Sequence, residues 1–167
     1  MAGHDEWQTP QPLFDLLDSE FHFVLDAAAT EASTKCDAWL NDGLTSPWMG
    51  AAVWCNPPYS NLPTWVERAW QQCREQKNTI VLLIPAYTDP KYWWTTIIPH
   101  ADEVRFLKGR VSFLENGHKK MSARFPSVIV VFRYRPGIQK KQAHCWWWDW
   151  KASIGGSVQL FTEEQSV

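Results

Sequence analysis

The residues best suited to chemistry in this chain of 167 residues are Asn56-Pro57-Pro58-Tyr59. A side-chain amide followed by a proline carbonyl offers two hydrogen-bond acceptors in fixed positions. Pro57 and Pro58 hold φ near about −65° and carry no N–H, so the carbonyls are aimed rather than free to swing. Such a pair suits an exocyclic amine of a nucleobase, whose lone pair is spread into the ring. Accepting hydrogen bonds from both amine hydrogens draws the nitrogen toward a tetrahedral shape and frees that lone pair for attack. Asn56 and the Pro57 carbonyl are the candidate acceptors. The ring of Tyr59 offers a face on which a base flipped from a duplex can stack. A bare Asn-Pro-Pro is also an ordinary turn after a strand. The apolar run before it, the aromatic after it and the helix behind it favour a site.

Those four residues need a scaffold, and the sequence outlines one. Thr9-Pro10 reads as a helix start, with Thr as N-cap, followed by Leu13, Phe14, Leu17 and Phe21 at helical spacing. Phe23 to Asp26 is a short strand ending in an acid, and Ala27-Ala28-Ala29-Thr30 is the turn or helix start after it. Ala51 to Cys55 is a second buried strand, stopped by the two prolines. Ser60 or Asn61 then caps a helix with Leu62, Val66, Ala69 and Cys73 on one face. Thr79 to Ile84 is a strand apolar on both faces and closed by Pro85. Asp89-Pro90 opens a helix carrying Trp93, Trp94 and Ile97, and Glu103–Leu107 and Ser127–Phe132 are further strands.

Strands alternating with helices predict an α/β fold with a mostly parallel sheet and helices on both faces. Ligands of such sheets bind at the carboxyl ends of the strands, where Asp26, Asn56 and Pro85 all fall. Only 30 positions separate Asp26 from Asn56, room for at most one short strand, so the sheet is expected to be trimmed at one edge.

Net charge is −2, yet residues 1–78 carry eleven acids against four bases and residues 79–167 seven acids against twelve bases. A polyanion would therefore meet the second half. There, Lys108, Arg110, His118, Lys119, Lys120 and Arg124 lie on one loop, about 108–125, followed by Arg133, Arg135, Lys140, Lys141 and Trp146-Trp147-Trp148. Alone, such a loop is a solvated surface; beside the Asn56 motif, phosphate contact is favoured for Lys108, Arg110, Lys119, Lys120 and Arg124. Twelve tryptophans are out of the ordinary; any one of them is as readily core filler, and the excess mildly favours a nucleic-acid or cationic ligand. The four cysteines form no CxxC pair, and cysteine and histidine show no metal-ligand spacing, so no metal is expected. With no leader or long apolar run in the sequence, a cytoplasmic protein without membrane contact is expected.

Around the motif, Glu6-Trp7-Gln8-Thr9-Pro10, Leu25-Asp26-Ala27-Ala28-Ala29-Thr30, Trp54 to Ser60, Leu107-Lys108-Gly109-Arg110-Val111-Ser112-Phe113 and Phe125-Pro126-Ser127-Val128 follow in order. Over roughly residues 5–135 the chain resembles the small phage and prophage DNA adenine-N6 methyltransferases, the Dam-like family. The resemblance implies a Rossmann-like fold, S-adenosylmethionine as methyl donor, and double-stranded DNA as partner of a chain favoured to be monomeric in a bacterial host cell. It implies catalysis by Asn56, Pro57, Pro58 and Tyr59. Asp26, Ala27 and Ala28 would lie at the methionine end of the cofactor, with Asn56 beside them. Trp7, Thr9 and Pro10 would cover the pocket, and Asp42 would take the ribose hydroxyls. On its own Asp26 serves as well as a helix cap; its place after the first buried strand favours the cofactor. Alanines stand where such folds usually carry glycines, so the pocket floor must differ. One methyltransferase domain over 1–150 and a tail over 151–167 are expected. Methylation of glutamine in proteins is the nearest enzymatic rival, and a catalytically dead DNA-binding relative the rival from another class.

Overall fold

The computed structural model describes residues 7–115, 118–119, 123–138 and 142–154, with the side chains of Glu115 and Lys119 outside that description. Helix α1 spans Gln11–Phe21, one residue later than expected, because Pro10 is extended (φ −57°, ψ 133°) and itself forms the N-cap. Thr9 caps nothing; it is buried. Strand β1 (Leu25–Asp26) follows, then β2 (Ala52–Cys55), which the prolines end as expected. A 3₁₀ turn, Tyr59–Asn61, leads into α2 (Leu62–Gln76), whose inward face includes Leu62, Val66, Ala69 and Cys73. Strand β3 is Thr79–Pro85. Residues 91–100 form a helix with a π turn, Trp93–Ile97, that ends as α3 (Ile98–His100). Strand β4 (Glu103–Leu107), a small hairpin of β5 (Leu114–Glu115) and β6 (His118–Lys119), β7 (Ser127–Arg133), β8 (His144–Trp148) and α4 (Trp150–Ile154) complete the described chain. Helix α4 runs across the expected start of the tail at 151; residues 155–167 lie outside the description.

The main sheet has the order β1-β2-β3-β7-β4-β8. β1, β2 and β3 pair in parallel, as do β4 and β8, but β7 runs antiparallel to both β3 and β4. The fold is thus mixed α/β, and β7 is the departure from a parallel sheet. The cause is the connection: between Leu107 and Ser127 the described chain holds a hairpin and loop, with no crossover helix to bring the next strand round in parallel.

Both faces of β3 are covered, which explains its unbroken apolar run. Ile80, Leu82 and Ile84 pack with α2 and Trp93 and Ile97 of the 91–100 helix. Val81 and Leu83 point the other way, into Leu13, Phe14 and Leu17 of α1 and Trp150 of α4. Each such side chain contributes about 1.5–3 kcal/mol of burial, so the center of the sheet is rigid and the strand ends are held in register.

At the β1 edge the one short strand that the sequence had room for is reduced to a single parallel bridge, Asp26 with Trp39. Gly43 allows this segment to lie close. A Cβ there would sit 2.0 Å from the Ala27 carbonyl oxygen and 2.9 Å from the Trp65 ring. The glycine that gives close approach therefore comes from the returning segment, and alanines are tolerated after β1. The opposite edge is β8, a segment without a strand pattern in the sequence, whose Trp146-Trp147-Trp148 is expected from the sequence to face DNA. Trp146 and Trp148 lie beside the Arg105 guanidinium at 5.2 and 5.6 Å, and Trp147, 75% exposed, stacks on Phe106 from the other face.

Candidate active site

The carboxyl ends of β1 and β2 open into a cavity of about 330 Å³. Its walls are Trp7, Gln8 and Thr9 before α1, Asp26 on β1, Ala28 to Thr30, Ala32, Ser33, Lys35 and Asn41 from the irregular segment, and Trp54, Asn56, Pro58 and Trp65.

Asp26 is only 3% exposed. The Ala28 N–H donates to its Oδ1 at 3.3 Å and the Lys35 N–H to its Oδ2 at 3.1 Å. Burial raises its pKa to about 6, against the lowering effect of those two amides and of the Lys35 charge. Among the described residues Asp26 makes no ion pair; the Lys35 ammonium donates to Gln11 Oε1 at 2.9 Å instead. Burial lowers the pKa of Lys35. Thr9 Oγ1, also in the cavity wall, is buried without a hydrogen-bond partner among the described residues.

Asn56 closes the cavity on the β2 side. Its Nδ2 donates to the Trp7 carbonyl at 2.8 Å, and the Tyr59 hydroxyl donates to its Oδ1 at 3.1 Å. An amide oxygen has two lone pairs, so one remains for a substrate hydrogen. Burial pushes the Tyr59 phenol well above its ordinary pKa, which keeps it a neutral donor. The ring of Tyr59 stands edge-on to Trp7, Phe113 and Phe125 at 6.1, 6.3 and 5.6 Å. An aromatic cluster therefore flanks the motif, with half-exposed Tyr87 at its outer side, 6.0 Å from Phe125. Fully buried Cys55 has its thiol pKa raised by burial and is unsuited to act as a nucleophile.

The structure brings Trp7, Thr9, Asp26, Ala28, Asn56 and Pro58 into one cavity and sets Tyr59 against Asn56. Pro57 and Ala27 are buried and do not line the cavity, and Pro10 is spent on starting α1. Asp42 is exposed and does not line the cavity, whereas its neighbour Asn41 does. Gln8, Lys35, Asn41 and Trp65 were not anticipated; Lys35 and Asn41 sit on a segment without periodicity, which gives a sequence reader no face to assign.

Of the expected DNA contacts, Lys108, Arg110 and Arg124 are exposed. Lys108 forms an ion pair with Asp149 at 2.5 Å. Lys119 pairs through its backbone with Leu114, and Lys120, Lys140 and Lys141 lie outside the described residues. Of the arginines that follow the loop, partly buried Arg133 pairs with Glu103, and exposed Arg135 pairs with buried Asp102.

The model for the family described as DNA N-6-adenine-methyltransferase (Dam) matches residues 1–144. The chain belongs to the Dam family. Among relatives, it is 31% identical over 139 residues to the DNA N-6-adenine-methyltransferase of Haemophilus phage HP1, strain HP1c1, covering 78% of this chain and 80% of that one. It is 28% identical over 165 residues to the DNA N-6-adenine-methyltransferase of Escherichia phage T1, covering 86% and 68%. As a Dam-family enzyme the chain is a DNA adenine-N6 methyltransferase, which sets aside both the protein-glutamine and the dead-relative readings. Among the described residues no helix is long and apolar enough to cross a membrane, and no group of three or more His, Cys, Asp or Glu is placed to hold a metal ion.

Proposed function

We propose that this Dam-family enzyme transfers a methyl group from S-adenosylmethionine to the amine of an adenine flipped out of double-stranded DNA, with Asn56 as the central acceptor. The observation that carries this reading is the Asn56 amide, which lines the cavity at the carboxyl end of β2 with its nitrogen held by the Trp7 carbonyl and its oxygen facing the Tyr59 hydroxyl. That oxygen and the Pro57 carbonyl take the two amine hydrogens, and the Tyr59 ring gives the flipped base a face. Neither acceptor is a base of useful pKa, so the proton leaves only after the nitrogen has become positively charged.

The cavity suits the donor. A buried carboxylate without an ion pair favours a ligand that brings its own positive charge, and the unpartnered Thr9 hydroxyl favours one that brings a polar group. Asp26 would hold the charged methionine end, with Ala28 as floor, Trp7 and Thr9 as cover, and Asn41 better placed than Asp42 for a ribose hydroxyl. When bound, S-adenosylmethionine supplies the methyl group; the protein orients the amine and keeps water out. We read the mixed sheet as a Rossmann-like methyltransferase sheet shortened on the β1 side. Arg110 and Arg124, with Lys108, Lys119 and Lys120, would meet phosphates.

Asn56→Ala tests the reading. Because it removes an acceptor used mainly in the transition state, single-turnover methylation, read by a methylation-sensitive digest, should slow by on the order of 10²–10³. Cofactor affinity should be retained. Turnover close to wild type would remove Asn56 from the reaction.

A further inference from the structure

The Asn56 side chain is held at both ends, and its two holders come from distant parts of the chain. Its nitrogen donates to the main-chain carbonyl of Trp7, 49 positions earlier. A carbonyl can only accept, so this contact alone dictates that the nitrogen faces Trp7 and the oxygen faces Tyr59. A flipped amide would set two oxygens against each other. Trp7 is itself gripped. Its ring stacks on Phe125 at 5.3 Å and 13° and leans on Phe113 at 5.2 Å and 31°. The next residue, Gln8, exchanges two backbone hydrogen bonds with Leu114, at 2.8 and 2.9 Å. Phe113 and Leu114 belong to the basic loop, and Phe125 ends it.

We propose that Trp7 is a positioning residue for methyl transfer: its carbonyl fixes the orientation of the Asn56 amide, and its ring and the Gln8–Leu114 bridge anchor that carbonyl to the loop that meets DNA. This rests on the reading of Asn56 as an acceptor. The role differs from covering the cofactor. An amide released from Trp7 can rotate and present hydrogens to an amine that also presents hydrogens, a contact that cannot form. The acceptor is therefore correctly aimed only while residues 7 and 8 stay docked on the loop. Undocking that segment would lower turnover even with cofactor and DNA both bound.

Asn56→Asp separates orientation from mere presence of an oxygen. A carboxylate has no hydrogen for the Trp7 carbonyl and is repelled by it, whereas a protonated carboxyl restores both contacts. The other titratable groups facing this position are Tyr59, which stays neutral, and Asp26 and Lys35 across the cavity. Wild type carries all three, so the ratio of variant to wild-type rate cancels their titration. With cofactor and DNA saturating, that ratio should be about 10⁻² at pH 8 and should rise as pH falls, by up to roughly tenfold per unit. Adding Trp7→Ala should weaken the pH dependence, because the main-chain carbonyl loses the ring that holds it and keeps only the Gln8–Leu114 bridge. Trp7→Phe keeps a stacking ring and should lower kcat less than Trp7→Ala does, and Trp7→Ala should lower kcat more than it raises KM for either substrate. The Asn56→Asp profile stands without the Trp7 variants should those fail to fold. A ratio that is flat with pH, or a dependence undiminished by Trp7→Ala, overturns the proposal. If Asn56→Ala stays active, the acceptor reading itself fails; if it is inactive while the Asn56→Asp ratio is flat, only the role of Trp7 fails.

Discussion

Two groups of charged side chains are withdrawn from water in this molecule, and the fold treats them in opposite ways. Under the C-terminal end of α1, buried Arg105 binds Glu20 through two nitrogens at 2.7 and 2.6 Å and Glu103 at 2.9 Å. Arg133 adds a second ion pair to Glu103, and the rings of Phe21, Trp146 and Trp148 lie within 5.6 Å of the Arg105 guanidinium. Those two arginines hold the Glu103 carboxyl below its ordinary pKa despite the opposing effect of burial. Asp26, at the carboxyl end of β1, has two amides and no ion pair among the described residues, and burial wins. The first group is complete without a ligand and stabilises the sheet edge. The second carries a desolvation cost that its two amides do not offset, and it lies in the wall of the cavity at the ends of β1 and β2. Incomplete satisfaction, rather than burial or charge, separates the site from the scaffold.

The contrast is sharpest under mutation. Arg105→Ala should destabilise the fold by about 2–3 kcal/mol, below the roughly 3–5 of a fully buried pair, because Glu103 keeps Arg133 and Glu20 can turn to water. Chemical denaturation checks this, and the folded variant should bind cofactor normally. Smaller effects are expected at the loop. Charge reversal at Arg110 and Arg124 should weaken all DNA sequences alike and reduce the slope of log affinity against log salt by about one for each lost phosphate contact. An unchanged slope would leave these two as solvated surface, like many exposed cations.

How much of this was legible in the sequence follows from the range of the forces involved. Asn56, Asp26 and the strands that carry them were readable because apolar runs, prolines and strand ends are local signals. The antiparallel course of β7 was not, since it depends on how residues 108–126 travel, and neither the hairpin nor β8 has a long apolar pattern. Arg133 and Arg135 look like free cations in one dimension; their acids, Glu103 and Asp102, lie some 30 positions away. Likewise nothing near Asn56 announces that Trp7 holds its amide. Thr9-Pro10 gave a helix start one residue early because a Thr before a Pro is a good cap by type, yet here its hydroxyl is turned to the cavity wall.

The claim that Asp26 is an incomplete site awaiting a cation is tested most directly by titrating wild type and Asp26→Asn with S-adenosylmethionine in a calorimeter, from pH 5 to 8. Because the folded pKa of Asp26 is raised to about 6, its ionised form, the one that attracts a cation, is complete above that pH and lost below it. Wild-type affinity should therefore fall as pH drops through 6, by at most about tenfold per unit. The variant should bind at least about tenfold more weakly at pH 8 and show no such dependence. The same raised pKa makes wild-type stability decrease as pH rises from about 4 to 6 and stay lowered above that. Asp26→Asn should thus be more stable than wild type at pH 8 by about 1–2 kcal/mol, less than the full shift implies because one backbone N–H loses its acceptor. Weaker binding together with greater stability is the expected result. Equal affinity in the two proteins, with the same pH profile, would contradict the account and return Asp26 to a structural role.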